Sequence, residues 1–314
     1  MKQTSIGGQA VMEGVMMRGK NMYAIAVRKP DQEIIMDKQP IRSLSSRYSI
    51  LKWPILRGIL GFVESMVVGI KTLTYSASFF DLEESEPSRP SKSEAWLEKK
   101  LGDRYDDFII GMTVVIAIIL AIGLFMVAPL FITRFIHTWI PTGRLRAAVE
   151  GVIRILIFLI YIGLISQMKD IQRVFQYHGA EHKTINCYEQ GEELTVENVR
   201  SHTRYHKRCG TSFLLIVMLV SIGVFMLIDL QNMWMRFLSR IVLVPFIAGL
   251  SYEIIRFAGR SDSLFVRLIS YPGKGLQRLT TKEPDDDQIA VAICAMKGVL
   301  EDEGESYDSC PIIK

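Results

Sequence analysis

The sequence predicts a mainly α-helical membrane protein, with about four transmembrane helices, one amphipathic helix, a small N-terminal β-hairpin element and a C-terminal cytosolic helix. Three observations lead there. Apolar residues make up 49% of the 314, and they collect in four blocks, residues 107–132, 147–167, 211–229 and 237–257. Each block is close to the ~20 residues a helix needs to cross the hydrocarbon core. Lys and Arg crowd alternate connections between the blocks. Residues 22–41 alternate or run β-branched on either side of "KPDQ", a turn sequence.

In chain order, residues 1–53 form a cytosolic N-terminal segment that contains the hairpin. Ahead of the hairpin stands "GGQAVMEGVMMRG", in which Gly7, Gly8, Gly14 and Gly19 make a flexible frame around Met12, Glu13, Met16 and Met17. It fits neither the dinucleotide nor the P-loop pattern, so packing or membrane contact is favoured over a phosphate cradle. Residues 54–80 open on Pro54, suited to a first helical turn, and space Arg57, Glu64 and Lys71 seven apart on one face. That is an amphipathic helix lying in the interface or against the spans, in preference to a fifth span. Residues 81–106 are a polar linker, too rich in Glu, Ser, Pro and Lys to bury a core. Residues 107–257 are the four-span membrane domain, interrupted by a cytosolic loop at 168–210. Residues 258–314 are a cytosolic C-terminal segment, with a soluble amphipathic helix at 284–303 whose first turn is acidic.

The loop at 168–210 carries seven Lys and Arg, against three in the connection after the first block. The positive-inside rule then puts that loop and both termini in the cytoplasm. No signal peptide is evident at Met1. The net charge of +4 is absorbed by this topology and by lipid headgroups. No basic patch interleaved with aromatics appears, so the expected partner is the bilayer and not nucleic acid. Cys187, Cys209, Cys294 and Cys310 all fall in cytosolic segments, where free thiols or metal ligands are expected over disulfides.

Two charged positions inside the spans need partners. Arg154 lies one turn after Glu150 on the same face, the spacing of an ion pair. Glu253 lies near the cytoplasmic end of the fourth span, at a depth from which it can reach the loop.

The loop holds four of the five histidines. In "YHGAEHK", His178 and His182 share a face if the segment is helical, with Glu181 beside them. This is the "HxxEH" arrangement, which places two imidazoles on zinc and a carboxylate next to the water that zinc activates. Gly179 costs a helix about 1 kcal/mol relative to Ala, which leaves a turn as the alternative. His202, His206 and Cys209 form a second set, spaced to share the face of a helix capped at Thr195. His178 and His182 with one of His206, Cys209 or Glu253 would leave a position open for catalysis. His178, His182, His206 and Cys209 together would close the site. Cys209 with His206 as base is a further, thiol-based option.

Taken in order, "GGQAVMEGVMMRG", "YHGAEHKTINCYE", "HKRCGTSFLL", "GLSYEIIRFAGR" and "LTTKEPDDDQIAVAICAM" resemble the YqhQ-like family of bacterial polytopic membrane proteins, across about residues 6–301. The resemblance implies a protein of the bacterial cytoplasmic membrane, and the family is labelled a predicted metal-dependent enzyme with no defined reaction. It singles out His178, Glu181, His182, His206, Cys209 and Glu253. Lys207 departs from the His-Pro-Arg-Cys-Gly that the family usually has, and His202 is outside the pattern, which places it behind the others.

The leading expectation is a membrane-surface metal-dependent hydrolase of peptidase or amidase type. It would use zinc or another divalent ion, Glu181 as general base, and ligands drawn from His178, His182, His206, Cys209 and Glu253, on a peptide or membrane-protein substrate. The alternatives are a non-enzymatic scaffold or partner-binding protein with a structural metal, and, less supported, a transporter or metal sensor.

Overall fold

Gly7–Val11 and Gly14–Arg18 pair as antiparallel strands β1 and β2 around the two-residue turn Met12-Glu13. The expected flexible frame is therefore a hairpin in its own right. It extends the hairpin expected downstream, Met22–Arg28 (β3) with Ile34–Pro40 (β4), into a four-stranded antiparallel sheet of order β1-β2-β3-β4. The computed structural model of the chain describes residues 6–41, 48–80, 100–102, 105–136, 139–140, 142–206, 209–228, 232–258 and 264–301. The expected linker falls almost wholly outside these residues, as do Lys207 and Cys310.

The tight β1–β2 turn needs a left-handed residue, and Glu13 adopts it at φ 47°. A non-glycine residue there is strained unless its surroundings hold it. Arg173 pairs with the Glu13 carboxylate, and Tyr177 Oη donates to it at 3.2 Å. Burial and the Glu13 charge raise the Tyr177 hydroxyl above its ordinary pKa, which keeps it a donor.

Side chains alternate across the sheet, and here both faces are covered. Val15, Met17, Ala24 and Ala26 face a core built with Asp286–Leu300 (α10) and Lys169–Gln190 (α5). Val11, Met16, Ile25 and Val27 face Val68, Tyr75, Phe79 and Phe80, the first two of which belong to helix Leu56–Ala77 (α1). The helix expected as amphipathic sets Val68 and Tyr75 on the sheet, while Val63, Met66, Val67, Ile70 and Leu73 stay exposed. It is also not among the helices long and apolar enough to span a membrane.

Helix α10 departs from the expected amphipathic helix. Every residue from Ile289 to Met296 is completely buried. "IAVAICAM" has no polar face, and a helix apolar all round is a core helix. Its start is fixed by a capping box: Asp285 accepts from Gln288 N and Gln288 Oε1 accepts from Asp285 N. Within it Cys294 is disulfide-bonded, contrary to the free thiol expected.

Among the described residues, three helical stretches are long and apolar enough to cross a bilayer: Phe108–Phe135, Gly143–Ile165 and Trp234–Arg256. The first comprises Tyr105–Ile122 (α2), a π-helical turn Gly123–Val127, and Ala128–Phe135 (α3). The others are Gly143–Ile165 (α4) and the bulk of Met233–Ala258 (α8). Ile119, Leu120, Leu164 and Val242 are all more than 60% exposed, as expected where the solvent is lipid. The fourth expected span, Gly210–Met226 (α7), is apolar but has only 17 residues. The chain is a mainly helical membrane protein with a small N-terminal sheet.

Contacts divide the chain into two units, one of residues 1–80, 160–221 and 243–314, the other of 81–159 and 222–242. The sheet, α1, α5 and α10 belong to the first. So do Val196–Ser201 (α6) and Leu264–Thr280 (α9).

Candidate metal centre

"YHGAEHK" is helical. It lies in the middle of α5, which starts afresh at Lys169 and ends at Gly191 in the left-handed conformation. Gly179 is there for space: a Cβ would land on the Lys282 carbonyl, and it would come within 3.3 Å of Pro284 Cδ. The α9–α10 connection crosses α5 at this point, and Lys282 N–H donates to Phe175 O at 2.8 Å. The helix accepts the propensity cost of glycine in exchange for that close approach.

His178 and His182 therefore share a face, their ring centroids 4.4 Å apart. Each is held at Nδ1 by a backbone carbonyl: Thr280 O at 2.8 Å for His178 and Arg204 O at 2.7 Å for His182. A carbonyl can only accept, so Nδ1 carries the hydrogen in both rings and Nε2 is left with its lone pair. His178 Nε2 lies 3.2 Å from Cys209 Sγ, and the His182 side chain reaches the same sulfur. The ligand atoms of His178, His182 and Cys209 all fall within 4.8 Å of one another. Two imidazoles with the right tautomer and one thiol fit a zinc-type ion, and the carbonyl partners are the outer shell such ligands normally have. Burial lowers the pKa of His182, which favours its neutral, ligating form.

Cys209 immediately precedes α7. Thr211 holds its sulfur with the backbone N–H at 3.4 Å and the hydroxyl at 3.1 Å.

Glu181 projects from the same stretch but is not one of the converging ligands. Its carboxylate accepts from Gly8 N–H of β1, and His178 and His206 favour its charge. Burial outweighs them and raises its pKa, so it holds a proton more readily than an ordinary glutamate. A Cβ on Gly8 would sit 2.7 Å from Glu181 Cγ and Cδ, so glycine here lets the strand lie directly against the carboxylate. A cavity of about 830 Å³ opens on the site, lined by Gly8, His178, Glu181, His206 and Cys209 among others.

His206 is nearby, its ring 5.8 Å from that of His182. Its backbone is clamped by Gln277, which accepts from His206 N–H at 2.9 Å and donates to its carbonyl at 2.8 Å. Its Nε2 faces Glu189 at 3.4 Å, outside the converging triad. His202 is elsewhere: Nε2 meets Glu192 at 3.1 Å and Nδ1 meets Gln190 at 3.3 Å. The expected single helix through His202, His206 and Cys209 does not form. Thr195 does cap a helix, accepting from Asn198 N at 3.3 Å, but α6 stops at Ser201 and His202 is extended. Glu253 is claimed by Arg57, which donates to it through both Nε, at 2.7 Å, and Nη2.

Sequence reasoning missed Gly8, the two carbonyls and Gln277. Only the Gly7-Gly8 pair left a trace, as a place where another group approaches the backbone.

This arrangement sits in a chain whose residues 53–302 match the family described as "Protein of unknown function (DUF1385)". The chain belongs to that family. It is also 36% identical over 295 residues to "Uncharacterized protein YqhQ" of Bacillus subtilis (strain 168), covering 94% of this chain and 92% of that one. No solved structure matches.

Proposed function

We propose that this protein is a membrane-bound metal-dependent hydrolase with its site at the cytoplasmic surface of the bacterial membrane, both termini on that side. The observation that carries it is the tautomer lock. With both Nδ1–H groups donated to carbonyls, the Nε2 atoms of His178 and His182 turn toward Cys209 Sγ, an outcome ordinary surface histidines have no reason to reach. These three residues would hold a zinc ion, which when bound supplies a Lewis acid and activates water at neutral pH.

The chain's own residues do the rest. Glu181, its pKa raised by burial, takes and returns the proton, and Gly8 N–H holds one carboxylate oxygen in place. The cavity admits substrate to this carboxylate. Along the cavity run Gly7 to Ala10 of β1, the edge strand of the sheet. An exposed strand edge offers backbone donors and acceptors to an extended peptide, which supports a peptide or amide substrate.

A second reading is supported by the closeness of His206. If its ring turns to become a fourth ligand, the site is closed and structural, as in a scaffold. Glu181→Gln separates the two. The hydrolase reading expects the variant to keep its metal and its fold while failing to restore a deletion strain. Full restoration would refute it.

A further inference from the structure

Glu150 of α4 is completely buried in the second unit and has three arginines on it. Arg154 Nη2 donates to Oε1 at 3.1 Å, Arg236 Nη2 to Oε2 at 2.9 Å, and Arg240 Nη2 lies 2.6 Å from Oε1. One carboxylate is thus shared among three guanidiniums. Arg154 is further satisfied: its Nε donates to Phe125 O at 2.9 Å, a carbonyl within the π-helical turn of the first span. Arg240 is not. It is 4% exposed, yet among the described residues its Nε and Nη1 have no hydrogen-bond partner. The Phe225 ring lies 5.0 Å from its guanidinium carbon. A ring attracts a cation through its face and leaves the in-plane N–H donors unanswered.

A buried cation with free donors, which shares the one carboxylate it meets among the described residues with two other cations in apolar helices, calls for an anion. We infer that Arg240, with Arg236, binds a phosphate group at the membrane interface. The depth agrees. Arg236 and Arg240 lie in the first two turns of α8, and Glu150 about two turns into α4, so the cluster sits about 5 to 10 Å from the helix starts. That is the depth of headgroups and the adjoining acyl boundary. Arg236, with 23% of its side chain exposed, gives access. Guanidinium suits the chemistry, since its planar donors match phosphate oxygens. The phosphate can come from an anionic phospholipid or from a soluble phosphate compound. The site is independent of the His178–His182–Cys209 centre.

Purified full-length protein in detergent distinguishes the sources. Native mass spectrometry and thermal unfolding are run with phosphatidylglycerol, phosphatidylcholine or inorganic phosphate, on wild type and Arg240→Gln. The expected result is one phosphatidylglycerol retained per chain and a melting temperature raised by that lipid but not by phosphatidylcholine. Arg240→Gln should weaken this at least tenfold. Stabilisation by inorganic phosphate at millimolar concentration, lost in the same variant, assigns the site to soluble phosphate. If neither anion binds, or Arg240→Gln binds as wild type does, the inference is overturned. Should Arg240→Gln fail to fold, Arg236→Gln, whose side chain is partly exposed, takes its place: weakened anion binding supports the site, and binding equal to wild type overturns it.

Discussion

Gly179→Ala sets two physical effects against each other. Alanine in the interior of a helix is favoured over glycine by about 0.8–1.0 kcal/mol, and α5 is helical on both sides of the position. On propensity alone the variant should be more stable. The added Cβ, however, occupies the place of the Lys282 carbonyl and presses on Pro284 Cδ at 3.3 Å. The obstacle is backbone, tied to Phe175 O by Lys282 N–H. Overpacking of this kind costs about 1–3 kcal/mol, and with a backbone obstacle at the upper end of that range a net loss of about 2 kcal/mol is expected after the propensity gain. The displaced connection begins directly after Thr280, the last residue of α9, whose carbonyl orients His178, so metal affinity should fall with stability. Thermal unfolding in detergent, with metal content measured on the same samples, checks both. At about 2–4 °C per kcal/mol for a protein of this size class, a drop of several degrees is expected. A melting temperature at or above wild type would refute the close approach and with it this role for the glycine.

Gly8→Ala should leave α5 intact but push Glu181 off the Gly8 amide, lowering complementation without releasing metal; metal loss equal to that of His178→Ala would contradict the placement. Thr195→Ala removes the cap of α6 and should cost about 1 kcal/mol, read by denaturant unfolding. Cys187 is buried, with its thiol pushed up to about 11 by burial first and Glu192 second. The folded state therefore keeps a proton that the unfolded chain loses above about pH 9, and stability falls as pH rises from about 9 to 11, by roughly 2–3 kcal/mol. Cys187→Ala should flatten that alkaline loss relative to wild type, and identical pH slopes would contradict it.

The sequence made legible whatever depends on local spacing. His178 and His182 are one helical turn apart, and the helix needs nothing else to bring them together. Thr195 announced its cap, and the apolar blocks announced membrane helices. Long-range pairings left no such mark. Glu253 looked free to reach the histidines because nothing local says that Arg57, 196 residues earlier, takes its carboxylate. Gly8 lies beside Glu181 only once the sheet has docked on α5. Helix α10 was legible but misread as amphipathic, while the unbroken apolar run after Gln288 already required burial on every side. His202 and His206 were read on a helical period that stops at Ser201, where Arg204 O turns instead to hold His182.

Metal content tests the central claim most directly. Purified without chelator and measured by elemental mass spectrometry, the wild type is expected to carry one zinc-type ion per chain. His178→Ala and Cys209→Ala should lose it, and Glu253→Gln should keep it, because Glu253 is committed to Arg57. A wild type without metal, or a Cys209→Ala variant that binds as tightly as wild type, would contradict the metal centre.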